Sequence, residues 1–393
     1  MLFRDDQLRQ KLQRIIFDAF GLHLLIDLTA MSQFRYCFSK SPALSVEQEK
    51  SLNEASLSLF RAAVGIERMG DGVKAFTGLM AQAIAGDPLV LVIDEPEAFL
   101  HPSLAFKLGQ ELARAARAAS RQIFVATHSA SFLRGCIHSG VGVNIIRLTY
   151  EKEVATARPL PSAELLKITR DPVLRSAGLM NALFHPAVVV CEGDSDRVLY
   201  DEINERLLKD DPPRGVSDCL FIDSGGKDSI KRMVGSLRKL GIPAAAIVDL
   251  DIIKKEVDWP TLLTEFAVPQ QLRSGIQDMR SKIRCIFESQ NLDMAKGGVE
   301  LLTGEDRRAA DDLFDQLDGY GLFVVRCGAL ERWLAMLGVP PGHKAKWLPA
   351  ILDKMGDDPS SPQYVKAGRD DIWPFVEKIR RWLKDPSRKG IFE

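Results

Sequence analysis

Two apolar runs in this sequence end in acidic residues at a spacing that suits an ion. Residues 187–196 read A-V-V-V-C-E-G-D-S-D, and residues 243–251 read P-A-A-A-I-V-D-L-D. A carboxylate at the end of a buried strand needs compensation, and a metal ion supplies it. Residues i and i+2 of a strand face the same way, so Asp249 and Asp251 point to one side. Gly193 makes a turn, and the spacing predicts a helix after it, capped by Asp194 or Ser195. Asp196 then falls in the first turn, close enough to Glu192 to share an ion. Oxygen ligands alone suit Mg²⁺ or Mn²⁺ rather than zinc. For a single D-x-D a capped turn explains as much, since Asp is common at strand ends.

A second constellation lies upstream. P-L-V-L-V-I-D-E-P-E-A-F-L-H-P (88–102) predicts a buried strand delivering Asp94 and Glu95 to its C-terminal edge. Two such carboxylates suit nucleotide hydrolysis: the first holds the Mg²⁺ hydration shell, the second polarises the attacking water. I-F-V-A-T-H-S (123–129) predicts another strand reaching the same edge with Thr127, His128 and Ser129. M-G-D-G-V-K (69–74) sets Gly70, Asp71 and Gly72 before a helix, where open backbone N–H groups bind phosphate. No G-x-x-x-x-G-K-[S/T] occurs. The nearest approach, S-G-G-K-D-S (224–229), lacks the first glycine and the hydroxyl after Lys227.

The elements that must position these residues are legible around them. L-R-Q-K-L-Q-R-I-I-F-D-A-F-G predicts a helix stopped by Gly21, residues 22–29 a strand, 39–45 a loop, and 46–60 a surface helix. From residue 67 a Gly-bearing turn, helix, strand, helix and strand come in turn, then a Pro-containing connector at 158–164. A second α/β region has strands expected at 187–191, 219–223, 244–249 and 321–327, with a long helical insertion before the last. The C-terminal tail reads as helical and basic; K-I-R-R-W-L-K-D-P-S-R-K (378–389) suits phosphate contact or a solvated face equally.

Composition bounds the partners. Of 393 residues 46% are hydrophobic, and 52 basic against 53 acidic residues leave a net charge of -1. Bulk charge therefore does not announce nucleic acid, which local patches or metal ions would have to hold. No apolar run reaches membrane-spanning length and no signal peptide opens the chain. Six scattered cysteines without a C-x-x-C pair read as thiols in a reducing cytoplasm.

In order and spacing the upstream pieces resemble an ABC-type ATPase. Glu67 to Lys74 resembles the signature loop, Asp94 and Glu95 the Walker B pair with its catalytic glutamate, and His128 the switch histidine. The extended form D-E-P-E-x-x-L-H-P resembles the ATPase of the overcoming-lysogenization-defect (OLD) nucleases. E-G-x-S-D followed by D-x-D resembles the Toprim domain shared by topoisomerases, primases and OLD nucleases. F-I-D-S-G-G-K-D-S (221–229) and F-V-V-R-C-G-A-L-E-R-W-L (323–334) sharpen the likeness to the OLD type. By that resemblance Glu331 is a further metal ligand, although a helix-start glutamate favoured by the dipole explains it nearly as well. The family's late catalytic lysine falls on Lys344, Lys346 or Lys366.

The expected fold is α/β: an ABC ATPase C-terminal lobe over 1–157, a linker over 158–178, a Rossmann-like Toprim domain over 179–340 with an insertion at about 253–318, and a helical region over 341–393. The resemblance implies metal-dependent DNA cleavage, with Glu192, Asp196, Asp249, Asp251 and Glu331 holding Mg²⁺ or Mn²⁺ and Lys227 steadying the phosphate. It further implies ATP with Mg²⁺ at an incomplete site (Gly70, Asp71, Gly72, Asp94, Glu95, His128), a homodimer, a separate chain or missing region supplying the phosphate loop, and a role in phage defence. The alternative is a non-catalytic regulator whose carboxylates bind a structural metal. A topoisomerase would need a nucleophilic tyrosine on a DNA-gate domain, for which the chain has no room.

Overall fold

A computed structural model describes residues 2–392 apart from 28, 30–33, 43–44, 87, 119–120, 152, 177 and 255–257. The chain divides into two compact units, Met1–Asn144 and Ile145–Glu393.

The first unit opens with α1 (Asp6–Phe20), capped by the Asp5 carboxylate and stopped at Gly21 with φ 67°. Strands β1 (His23–Asp27), β2 (Arg35–Ser39) and β3 (Val64–Gly65) form an antiparallel sheet. The expected surface helix is two, α2 (Val46–Lys50) and α3 (Glu54–Ala62), because Asn53 accepts the Ser56 N–H and starts the second. The loop expected at 39–45 lies partly outside the described residues.

The rest of the unit runs α4 (Asp71–Ala85), β4 (Val90–Asp94), α5 (Pro102–Ala118), β5 (Gln122–Ala126) and α6 (Ala130–His138). β4 and β5 pair in parallel, Val90 opposite Gln122 through Asp94 opposite Ala126. Leu91, Ile93, Ile123 and Val125 pack on a core that includes Phe76, Met80, Leu108 and Phe132. The other face is bare: Val92 is 82% exposed and Phe124 57%. The strand expected to be buried is therefore covered on one side only. Side chains alternate across a strand, and within this unit the described residues supply a helical layer to one face alone.

The second unit opens with an antiparallel ribbon, β6 (Ile146–Glu151) and β7 (Val154–Pro159). This ribbon was expected with the first domain and groups with the second. The stretch 158–178, expected to be a linker, carries α7 (Ser162–Arg170) and α8 (Pro172–Ser176), with α9 (Leu179–Ala182) next. Leu165, Ile168 and Leu174 are buried there, so it is packed structure.

Beyond these helices lies a four-stranded parallel sheet in the order β11-β10-β8-β9, formed by β8 (Ala187–Cys191), β9 (Cys219–Asp223), β10 (Ala244–Asp249) and β11 (Leu322–Val325). Helices α10 (Asp194–Leu208) and α11 (Lys227–Lys239) connect the first three strands. The insertion before β11 holds α12 (Trp259–Glu265), α13 (Gln270–Ser289), α14 (Met294–Gly297) and α15 (Gly304–Gly319). All four strands fall where the apolar runs placed them.

The C-terminal helices α16 (Lys344–Met355) and α17 (Ile372–Lys384) are not a loose tail. Trp347, Ile351, Trp373, Val376, Ile379 and Trp382 enter the same core as Val189, Ile247 and Phe323. Buried Arg238 donates to the carbonyls of Ala244, Phe266, Tyr320 and Gly390 at 2.7–3.0 Å. Arg206 does the same for Met355, Gly356 and Val365 at 2.6–3.0 Å. Trp382 is buried, its indole N–H donating to the Gly319 carbonyl, so it is not available for stacking on nucleic acid.

Candidate functional site

Parallel strands that share a direction bring their C-terminal ends, and the residues just beyond them, to one sheet edge. Cys191 is level with both Asp223 and Ile247 across the sheet, so Glu192 leaves β8 beside the end of β10. Gly193 precedes α10 without any side-chain cap. Asp194 is the first helical residue and pairs with Arg197 at 2.8 Å, which corrects the expectation that it caps. Asp196, in the first turn as expected, is 4% exposed.

The 224–226 loop fixes Glu192 from the other side. Gly225 and Gly226 have φ of 66° and 127°, a conformation that costs glycine least. This lets the Gly226 N–H and the Ser224 hydroxyl reach the Glu192 carbonyl at 2.9 and 3.0 Å. Lys227 then starts α11 at the sheet edge. Ser224, which opens the S-G-G-K-D-S stretch but was given no role from the sequence, is 2% exposed.

Two ammonium groups stand among the carboxylates. Lys344 Nζ lies 3.0 and 3.2 Å from the two Asp196 oxygens and 2.9 Å from Asp249 Oδ2. Lys227 Nζ pairs with Asp251 and lies 3.7 Å from Glu192 Oε1. The Asp249 N–H reaches Glu192 Oε2 at 3.4 Å. Of the three late lysines considered, Lys344 enters the cluster, while Lys346 and Lys366 do not pair with it. No signal in the sequence separates it from Lys346, which shares the first turn of α16. Glu331 sits in a short turn after β11, and its charge helps to raise the Asp196 carboxyl.

Electrostatics show how crowded the cluster is. Burial, then the Asp249 charge, pushes the Glu192 carboxyl up to about 7. Burial likewise raises Asp196 and Asp249, against the pull of Lys344. Burial opposes the charge on Lys344, but Asp249 and Asp196 outweigh it and raise that group.

The donor set fits a hard divalent cation, being carboxylate oxygens throughout. Buried Asp249 Oδ1 has no hydrogen-bond partner among the described residues, which leaves a lone pair free for an ion. As placed, no three acidic, histidine or cysteine side chains among the described residues converge tightly enough to hold one ion. The carboxylates are spaced around ammonium groups, at the distances just given.

In the first unit, His128 Nδ1 lies 2.9 Å from Glu95 Oε1, both side chains more than half exposed. Glu95 adopts φ 44° and its N–H donates to the Ala126 carbonyl at 2.9 Å, which ties the two strand ends together. Asp94 ends β4 beside them. Gly70 caps α4 and Asp71 pairs with Lys74 at 3.1 Å. A side chain on Gly72 would meet the Phe99 carbonyl at 2.7 Å, so this glycine lets the helix start approach the loop after Glu95.

Comparison with known proteins agrees with this division. A model described as "AAA domain, putative AbiEii toxin, Type IV TA system" matches residues 31–134. One described as "Overcoming lysogenization defect protein-like, TOPRIM domain" matches residues 183–251. The two matches support an AAA domain followed by an OLD-like Toprim domain. Among relatives, the Old nuclease of Escherichia phage P2 is 24% identical over 311 residues, 74% of this chain and 50% of that protein. The OLD nuclease of Thermus scotoductus is 24% identical over 229 residues, 56% of this chain and 42% of that one. The chain spans about half the length of the curated OLD relatives it matches. A solved chain described under ATP-driven dimerization of SMC ATPases covers 41% of this chain at 17% identity with a TM-score of 0.28, too low to carry an argument. No helix among the described residues is long and apolar enough to cross a membrane.

Proposed function

We propose that this chain is a metal-dependent nuclease of the OLD type, cutting DNA phosphodiester bonds at the Toprim sheet edge. One observation carries the reading: Glu192, Asp196, Asp249 and Asp251 meet Lys227 and Lys344 there, with the buried oxygen of Asp249 left over. Glu192, Asp196, Asp249, Asp251 and Glu331 would hold Mg²⁺ or Mn²⁺, which when bound activates water and stabilises the leaving oxygen. Lys227 and Lys344 supply positive charge to phosphate. The Gly225–Gly226 loop holds Lys227 in place. The test is nicking of supercoiled plasmid with Mn²⁺ and with chelator; intact plasmid under both conditions overturns it. A role in phage defence belongs to the same reading, and plaque counts with and without the expressed chain test it.

The uncovered face of β4–β5 favours a second element. Parallel strands are ordinarily covered on both faces, and here Val92 and Phe124 lie open beside Glu95 and His128. The ATPase unit is therefore read as a half-site that works against a further lobe carrying the phosphate loop, and as part of a dimer. Mixing the chain with such a lobe should raise Mg·ATP affinity, and Val92→Lys should cancel the gain while leaving the isolated chain folded.

A further inference from the structure

The spacing of the carboxylates points beyond the ligand set. Ammonium–carboxylate contacts run at about 2.7–2.9 Å, whereas Mg²⁺ demands oxygens at about 2.1 Å. Lys344 holds Asp196 and Asp249 at 3.0 and 2.9 Å, so these two side chains are set for an ammonium ion. Lys227 pairs in the same way with Asp251 alone and lies 3.7 Å from Glu192 Oε1. Neither lysine is fully buried: their side chains are 28% and 23% exposed, and each has a long stem along which it can withdraw toward solvent. The carboxylates are more fixed. Their side chains are 5% exposed for Asp196 and 12% for Asp249, on the first turn of α10 and the end of β10.

We infer that Lys344, with Lys227 beside it, is a tethered counter-ion that keeps the acidic cluster folded without metal and must leave before a divalent cation binds. This rests on the metal-site reading above and deepens it. Without such a cation, several carboxylates at one buried edge would repel each other and open the strand ends. With it, metal affinity is lowered by the work of displacing an ammonium group from two carboxylates. Displaced from Asp196 and Asp249, Lys344 Nζ becomes free to meet a phosphate, so that ion entry and phosphate capture are linked exchanges.

The experiment is Mn²⁺ titration by calorimetry on the full chain, with thermal unfolding of the same samples in chelator and in Mn²⁺. Lys344→Met should bind Mn²⁺ at least about tenfold more tightly than the wild type, while melting lower in chelator and regaining stability in Mn²⁺. Lys344→Arg, which keeps the charge, should bind no more tightly than the wild type. Mn²⁺ affinity that is unchanged or weaker in Lys344→Met overturns the inference, because the lysine would then be organising the ligands. If wild type and Lys344→Met both fail to bind Mn²⁺, the metal-site reading falls and the inference with it. Binding by the variant alone supports the inference.

Discussion

Lys344 Nζ lies 2.9 Å from Asp249 Oδ2, across 95 residues of sequence. The two come from elements that sequence analysis assigned to different regions, one to the Toprim fold and one to a helical C-terminal extension. The site is therefore built by both. The C-terminal helices belong to its scaffold, since Trp347 and Trp373 share a core with Val189 and Ile247.

Replacing Asp249 by Asn keeps the shape of the side chain and removes its charge. Mn²⁺-dependent nicking should fall at least about 100-fold, beyond the losses usual for groups one shell further from a metal. The circular dichroism spectrum should not change, because the Asp249 carboxylate serves ions rather than packing. Wild-type nicking by the pure variant would remove Asp249 from the site.

The pH dependence of stability has a definite sign. Glu192 rises from 4.5 to about 7, so across that window the folded chain holds a proton that the unfolded chain releases. In chelator, stability should therefore fall as pH rises from 4.5 toward 7, with a ceiling of about 3 kcal/mol from this group. Glu192→Gln cannot titrate and should flatten the curve. Asp196 and Asp249, also raised, leave a residual slope of the same sign. Urea unfolding at pH 5 and pH 8 gives the comparison, and equal slopes in the two proteins would contradict it.

Arg238 should matter for folding. Its guanidinium satisfies four backbone carbonyls in the core and lies 5.0 Å from the ring centre of Trp382. Arg238→Met leaves those carbonyls unpaired and should cost about 3 kcal/mol. Urea denaturation measures it; a loss below about 1 kcal/mol would mean that water or neighbours replace the bonds.

ATP turnover should be negligible in the purified chain, and nicking should be the same with and without Mg·ATP. Glu95 and His128 are in contact, but carboxylates alone repel a triphosphate, and no phosphate-loop motif occurs in the sequence. Phosphate release that disappears in Glu95→Gln would reveal a cradle formed by other residues.

Much of the second unit was legible because its strands are short apolar runs ended by acids or glycine. Glu192, Asp249 and Asp251 fall where those runs end. Lys344 could not be chosen among three lysines by pattern alone, since its position depends on how α16 packs. The cap expected from Asp194 or Ser195 failed because the helix starts one residue earlier, at Asp194, with Gly193 in the cap position. Burial of β4 was misread for a related reason: an apolar run reports what a strand can cover, and the covering layer is a property of other chain segments.

The 95-residue separation also has a meaning in time. A ribosome makes β8, β9 and β10 with their carboxylates well before it makes Lys344. While the nascent chain waits, the acidic edge lacks one of its internal cations, and magnesium or a polyamine from the cell is the nearest substitute. Chains truncated before α16 and purified should then compact this unit only when Mg²⁺ is added, whereas the full chain should compact in chelator, a difference that pulse proteolysis can read.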